Sequence, residues 1–342
     1  MIYQEKKMPQ ENISKQLYLE SISPWLPSTI IDCHVHIGRS EHMETISPER
    51  FKEMWAIEIA SSYTWEEMRD GFEMLFPDKT TEVLAFGWPY REMDSDLNNN
   101  YVLQGKDDPV NKAKILAVTR PQWDARKVAE LMDQGFIGIK PYPDLSPQCS
   151  NEVSTFDFLP HSHLEVLNDR HGILMLHLPR KGRVADQNNI DEILEINDRY
   201  PNIKFIVAHI GRAFCLPTAE KGLPKLAERP GIYFDTAANL NPDVFAYALE
   251  LVGADRVLYG SDLPISFMRG MREHVGEQYI NYTDGDYSWN TNRKRPEEEA
   301  EYTYFGYEEI LAIKKGLDQA GMGQAEIEKV FYSNSASLLS GK

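Results

Sequence analysis

Short runs of β-branched and aromatic residues recur along the chain. Each is followed by a turn signal and then by a segment whose apolar positions keep helical spacing. The runs fall at residues 29–32, 83–86, 115–118, 136–139, 173–176, 205–208, 232–234 and 257–259. Most are apolar on both faces, the pattern of strands covered by helices on either side. Amphipathic segments at 125–134, 190–199, 223–229 and 243–252 lie between them. Strand alternating with helix eight times predicts a (β/α)8 barrel of the α/β class, with a doubly wound open sheet as the competing architecture.

Three stretches exceed this repeat. Residues 1–28 are polar and predict an N-terminal arm ahead of a barrel domain at 29–342. Residues 39–79 separate the first two strands by more than one crossover helix requires, and 53–73 reads as largely helical. Residues 265–307, rich in Tyr, acids and Asn, follow the eighth strand and should therefore sit over the barrel mouth. They would serve there as a lid, as the contact of a homodimer or as a solvated charged loop. Residues 324–339 predict a closing helix.

Composition narrows the function classes. Hydrophobic residues at 42% and charged residues at 26% exclude a disordered, collagenous or membrane-spanning chain. With 36 Lys and Arg against 53 Asp and Glu, the net charge is −17. That argues against nucleic acid or an anionic membrane as partner, and leaves a small-molecule substrate whose pocket can still be locally basic. Cys33, Cys149 and Cys215 are too few and too odd in number for a disulfide scaffold. No apolar h-region opens the sequence and no run of about 18 apolar residues occurs, so a cytoplasmic location is expected.

Polar residues gather just past the apolar runs, at the strand ends where a barrel builds its active site. The first strand ends in Asp32-Cys33-His34-Val35-His36. Residues i and i+2 of an extended chain point the same way, so His34 and His36 can reach one ion. The fourth strand ends in Lys140, the fifth in His177, the sixth in His209 and the eighth in Asp262. Each is a metal ligand or a general base or, for Lys140, a carbamate. His161-Ser162-His163 has the same spacing but follows Pro160 at the head of a predicted helix, where i and i+2 diverge. It is read as a surface feature. Cys33 alternates away from His34 and is expected to pack against a helix. Arg39, Arg180, Arg183, Arg212 and Arg269 follow strand ends, where guanidinium groups can clamp a carboxylate. Any one of them alone is as readily a surface ion pair. Trp88 and Tyr142 would form apolar walls, and Asp235 would orient a ligand histidine.

Taken in order, IIDCHVHIG, GIKPYP, LMLHLP, FIVAHIGR and VLYGSDLP resemble the first, fourth, fifth, sixth and eighth strand segments of the amidohydrolase superfamily. The similarity is closest to the amidohydrolase-related branch that contains aminocarboxymuconate semialdehyde decarboxylase. The closing SNSASLL resembles that branch's NAxxLL ending, so the likeness spans roughly residues 30–340. The resemblance implies a distorted barrel with one or two divalent metals, usually zinc. Carried over residue by residue, it makes His34, His36, His177 and Asp262 the ligands of one Zn2+. Asp262 and His209 become the groups that move protons, and Lys140, Tyr142, Arg180 and Arg212 the substrate contacts. In binuclear members the equivalent of Lys140 is carbamylated and bridges a second metal. The reaction implied is attack of a metal-activated water on a carboxylic amide, lactone or related bond of a small acidic substrate. The alternatives are a non-oxidative decarboxylase or hydratase using the same metal site, and a barrel that only binds a ligand. Hydroxyarene decarboxylases of the branch often carry Glu-x-His where this chain has His34-x-His36.

Overall fold

The computed structural model describes residues 8–340 apart from Asp107 and Cys149, so the expectation for Cys149 lies outside the described residues. Eight parallel strands form where the apolar runs predict them: β1 (Thr29–His36), β2 (Thr80–Phe86), β3 (Lys114–Leu116), β4 (Gly138–Ile139), β5 (Ile173–Leu176), β6 (Lys204–Val207), β7 (Ile232–Asp235) and β8 (Val257–Leu258). They pair in sequence order as β1-β2-β3 and β4-β5-β6-β7-β8. Main-chain hydrogen bonds close the two seams. Lys140 N–H donates to the Ala117 carbonyl at 2.8 Å between β3 and β4, and Cys33 N–H donates to Tyr259 at 2.9 Å between β1 and β8. The architecture is the (β/α)8 barrel, because an open sheet would leave β1 and β8 unbonded.

Period-two alternation divides the core. Val83, Ala85, Leu174, Leu176, Phe205 and Val207 pack outward against helices. Leu84, Phe86, Leu116, Met175, Ile206 and Leu258 fill the interior of the barrel. Cys33 belongs to that interior cluster and not, as alternation predicted, to the helix side. The reason is local. The register of β1 on β2 shifts between Asp32 and Val35, and such a bulge turns consecutive side chains inward.

The surrounding helices carry ordinary start and stop signals. The helix Ala125–Gln134 begins where the Asp124 side chain accepts the Lys127 N–H, ends at Gly135 in the left-handed region, and buries Val128 and Leu131. His163, expected at the surface, is fully buried in the helix His161–Asp169, where its Nε2 donates to the Trp123 carbonyl at 2.8 Å. It is a core histidine. The later part of the segment expected as a polar arm is fastened to the barrel: Tyr18, Ile22 and Leu26 are buried, and the Tyr18 ring stacks on Tyr307 at 5.7 Å. Among the described residues no helix is long and apolar enough to cross a membrane.

Both long insertions lie over the mouth. The first supplies the helices Pro48–Glu53, Trp55–Ile59 and Trp65–Leu75. The second forms an antiparallel sheet of β9 (Arg269–Val275), β10 (Gln278–Thr283) and β11 (Thr303–Tyr304) in the order β10-β9-β11. They meet where the Ser288 N–H and hydroxyl donate to the Glu58 carboxylate at 2.7 and 2.8 Å, beside the Trp55–Trp289 ring contact. Buried Arg50 pins the first insertion to Glu92 and Asp144 on the rim.

Candidate metal centre

The strand ends converge on one cavity of about 180 Å3. His34 and His36 from β1 direct Nε2 at the same oxygen, Asp262 Oδ1, at 3.4 and 3.2 Å. Their other ring nitrogens are committed. His34 Nδ1 donates to Asp235 Oδ2 at 3.0 Å and His36 Nδ1 to the Gly87 carbonyl at 3.3 Å. His209 repeats the pattern, with Nδ1 on the Ala237 carbonyl at 2.8 Å. A carbonyl can only accept, so Nδ1 carries the hydrogen and Nε2 presents a lone pair. Asp235 orients the site as expected: its Oδ1 also accepts the His209 N–H at 2.7 Å and the Ala237 N–H at 3.2 Å.

Electrostatics favour the same protonation states. Burial, reinforced by positive Lys140, lowers the His34 pKa, and burial also lowers that of His36. His209 is brought down to about 4 by burial and the nearby His34. Burial works to raise Asp262, but the His36 contact and the attraction of His34 and His209, once these are protonated at low pH, hold its carboxyl below the usual range. Neutral imidazoles beside an ionised carboxylate are the ligand forms a divalent cation requires. His34, His36 and Asp262 offer ligand atoms within 4.8 Å of one another, and their donor set fits Zn2+.

His177 faces the same cavity but stands apart from that compact group. Its ring lies 4.4 Å from Tyr142 and 5.1 Å from His209, and its Nδ1 is buried without a partner. Burial and then Arg212 push its pKa well below the ordinary value. Lys140 is fully buried, with Nζ over the Phe86 ring at 5.1 Å from its centre and no hydrogen-bond partner. Burial brings its amine down to about 8 against the pull of Asp235 and Asp262. Phe86 in turn touches both His34 and His36, and although Lys140 is not among the residues that line the cavity, its charge acts on His34, His36, His177 and His209.

Tyr142, Arg212 and Trp88 line the cavity, and Trp88 stacks on His36 at 5.0 Å. Arg180 does not. Its guanidinium turns to Glu192 at 2.7 Å and Asn189 at 2.6 Å, an ion pair that satisfies it away from the site. Arg39 pairs with Glu41 at the surface, and Arg269 pairs with Asp284. Sequence reasoning missed Arg272 and Tyr279, which the β9–β10 hairpin brings to the cavity, and Tyr90. Nothing in a charged insertion marks which residue turns inward until the hairpin has paired.

The backbone at this rim is strained. His209, Ile210, Arg212, Ala238 and Asp262 have φ of 57°, 49°, 61°, 54° and 62°. The left-handed region costs an L-residue about 1–2 kcal/mol. Such conformations persist where surrounding packing enforces them, and they gather at functional sites.

The amidohydrolase family model matches residues 31–340. The chain belongs to the amidohydrolase family. This is a family of metal-dependent enzymes, in keeping with the ligand cluster. No curated protein matches the sequence. Among solved structures, an amidohydrolase from Burkholderia multivorans with bound zinc superposes with a TM-score of 0.59 at 12% identity, over 91% of this chain and 98% of that one. A protein assigned as a 2-pyrone-4,6-dicarboxylic acid hydrolase from Pseudomonas putida gives 0.56 at 14% identity, over 93% and 99%. A dihydroxybenzoic acid decarboxylase from Polaromonas sp. JS666 with bound manganese gives 0.53 at 12%, over 91% and 97%. At such identities the likeness establishes the barrel fold that these amidohydrolases share with this chain.

Proposed function

We propose that this amidohydrolase is a hydrolase acting on a carboxylic amide, lactone or related bond of a small acidic substrate, with one divalent cation, most naturally Zn2+, held by His34, His36, His177 and Asp262. The observation that carries the reading is the convergence of the His34 and His36 Nε2 atoms on Asp262 Oδ1, with both Nδ1 positions already tied off. When bound, the cation supplies polarisation of a carbonyl and lowers the pKa of water to about 7.

The side chains do the rest. Asp262 turns Oδ1 to the histidines, which leaves Oδ2 to accept the proton of the attacking water. His209 has its Nδ1–H committed to Ala237, so Nε2 must accept a proton before it can return one to a leaving group. Trp88 and Tyr142 exclude water from the flanks, and Arg212 offers a guanidinium to a substrate carboxylate.

A non-oxidative decarboxylase is the second reading, supported by the similarity to the manganese-containing decarboxylase. Two measurements decide. Metal analysis of protein purified without chelator should find about one divalent ion per chain. Two ions would favour a carbamylated Lys140 bridge, and none after reconstitution with Zn2+ or Mn2+ would reject the ligand assignment. A screen of small lactones, amides and aromatic acids then separates the chemistries: hydrolysis releases acid and no CO2, whereas decarboxylation releases CO2.

A further inference from the structure

Three arginines near the mouth have no acidic partner. Among the described residues, Arg183, Arg212 and Arg272 make no ion pair within 4.0 Å, in a chain with 53 acidic residues. The carboxylates that line the cavity are engaged elsewhere: Asp262 by the histidines, and Glu53 by Arg91 at 3.1 Å and Arg50 at 3.5 Å. Arg272 is held in place by neutral acceptors. Its Nε donates to Asn281 Oδ1 at 2.8 Å and its Nη1 to the Ala238 carbonyl at 2.7 Å. Its guanidinium lies 5.0 Å from the Phe214 ring centre and 4.6 Å from that of Tyr279. Arg212 uses Nη1 on the carbonyls of Leu178 and Arg180. A guanidinium has five N–H donors, so both keep donors unspent and both line the cavity.

Positive charge withdrawn from water and left without a counter-ion is costly, and here like charges add to the cost. Burial lowers Arg272 to about 10, and Arg183 presses in the same direction, yet the group stays charged at neutral pH. An oxyanion between Arg212 and Arg272 would relieve both. The centre is close by: Phe214 lies 6.4 Å from His209 by ring centres, so one aromatic ring separates Arg272 from the proton-transfer histidine.

We propose that Arg272, delivered by the inserted β9–β10 hairpin, and Arg212 form an anion subsite that binds a carboxylate or phosphate at the end of the substrate remote from the attacked bond. The inference rests on the reading of this cavity as the active site. It makes the insertion, together with the turn after β6, the element that selects acidic substrates. Guanidinium-to-oxyanion hydrogen bonds are charge-assisted, and bidentate ones also fix orientation, so Arg272 sets both affinity and the pose of the reacting end.

Calorimetric titration of the purified protein with benzoate and phenyl phosphate, against neutral benzamide, tests this directly, because the walls are aromatic. At least one anion should bind about 10-fold to 100-fold more tightly than benzamide. The preferred anion identifies the group. Arg272→Gln should abolish that preference without changing metal content, Arg212→Gln should reduce it, and Arg272→Lys should keep part of it. If Arg272→Gln fails to fold, the other two variants carry the test. Equal binding of benzamide, or an anion preference unchanged in the variants, overturns the subsite. Metal content separates the two proposals. Arginine-dependent anion binding without any metal would sink only the hydrolase reading, and a metal-loaded protein without arginine dependence would sink only the subsite.

Discussion

His177 and His209 end neighbouring strands after near-identical apolar runs, yet the structure treats them differently. His209 has Nδ1 fixed on Ala237 and its own N–H held by Asp235, while the His177 Nδ1 has no partner. His209→Asn is expected to keep metal content near wild type and lose about 10²–10⁴-fold in turnover, the range for a positioned acid or base. His177→Asn should instead strip or weaken the metal, because a ligand is lost. Metal analysis of the two variants beside their rates checks this. Equal metal loss in both would reject the single-ion scheme and favour a bridge through Lys140. The strained run from His209 to Arg212 explains why both side chains reach the cavity from one short turn. A left-handed turn reverses the chain and aims Arg212 where an extended continuation of β6 would not.

At the scale of elements, the site depends on parts that lend it no ligand. The helix Phe305–Gln319 sends buried Glu309 under the β7 lip, where Oε1 meets the Thr236 hydroxyl at 2.9 Å and Oε2 accepts the Ala238 N–H at 3.0 Å. Ala238 in turn accepts from Arg272, so this helix braces the hairpin. Burial raises the Glu309 carboxyl well above its ordinary value, and nearby Asp32 and Asp235 add to the shift. A raised carboxyl pKa contributes stability that is complete below the unfolded value, about 4.3, and is lost as pH rises toward the folded one. Glu309→Gln keeps an acceptor for Ala238 and a donor for Thr236 but never ionises. Its melting temperature should match wild type near pH 4 and rise progressively above it as pH increases to 8. A difference that stays flat with pH, or reverses, would show that Glu309 is not held protonated.

At the scale of the whole molecule, the barrel is completed by chain on both sides of its repeats. Tyr18, Ile22 and Leu26 are buried against it, and the Tyr18 hydroxyl donates to Asp78. Burial of Ile22 and Leu26 alone contributes about 3–6 kcal/mol, a large share of a typical folding free energy. A chain beginning at residue 29 should therefore melt about 5–10 °C lower or fail to accumulate as folded protein. Thermal unfolding decides, and an unchanged melting point would make the segment an independent arm after all. The polar composition of residues 1–28 concealed this, although Tyr18, Ile22 and Leu26 keep helical spacing. The eight strands, their order and the polar residues at their ends were legible, since burial on both faces imposes unbroken apolar runs and a strand's end is a local feature. Cys33 and His163 went the other way: a register shift and a tertiary contact with Trp123 decided their surroundings. The sequence by itself thus determined the barrel and the family and singled out candidate ligand residues at the strand ends, all carried by short-range pattern. The inward turn of Arg272, the diversion of Arg180 to Glu192 and the seating of Lys140 over Phe86 were decided only by the tertiary structure. Each depends on which distant element offers a partner, and spacing along one chain does not encode that.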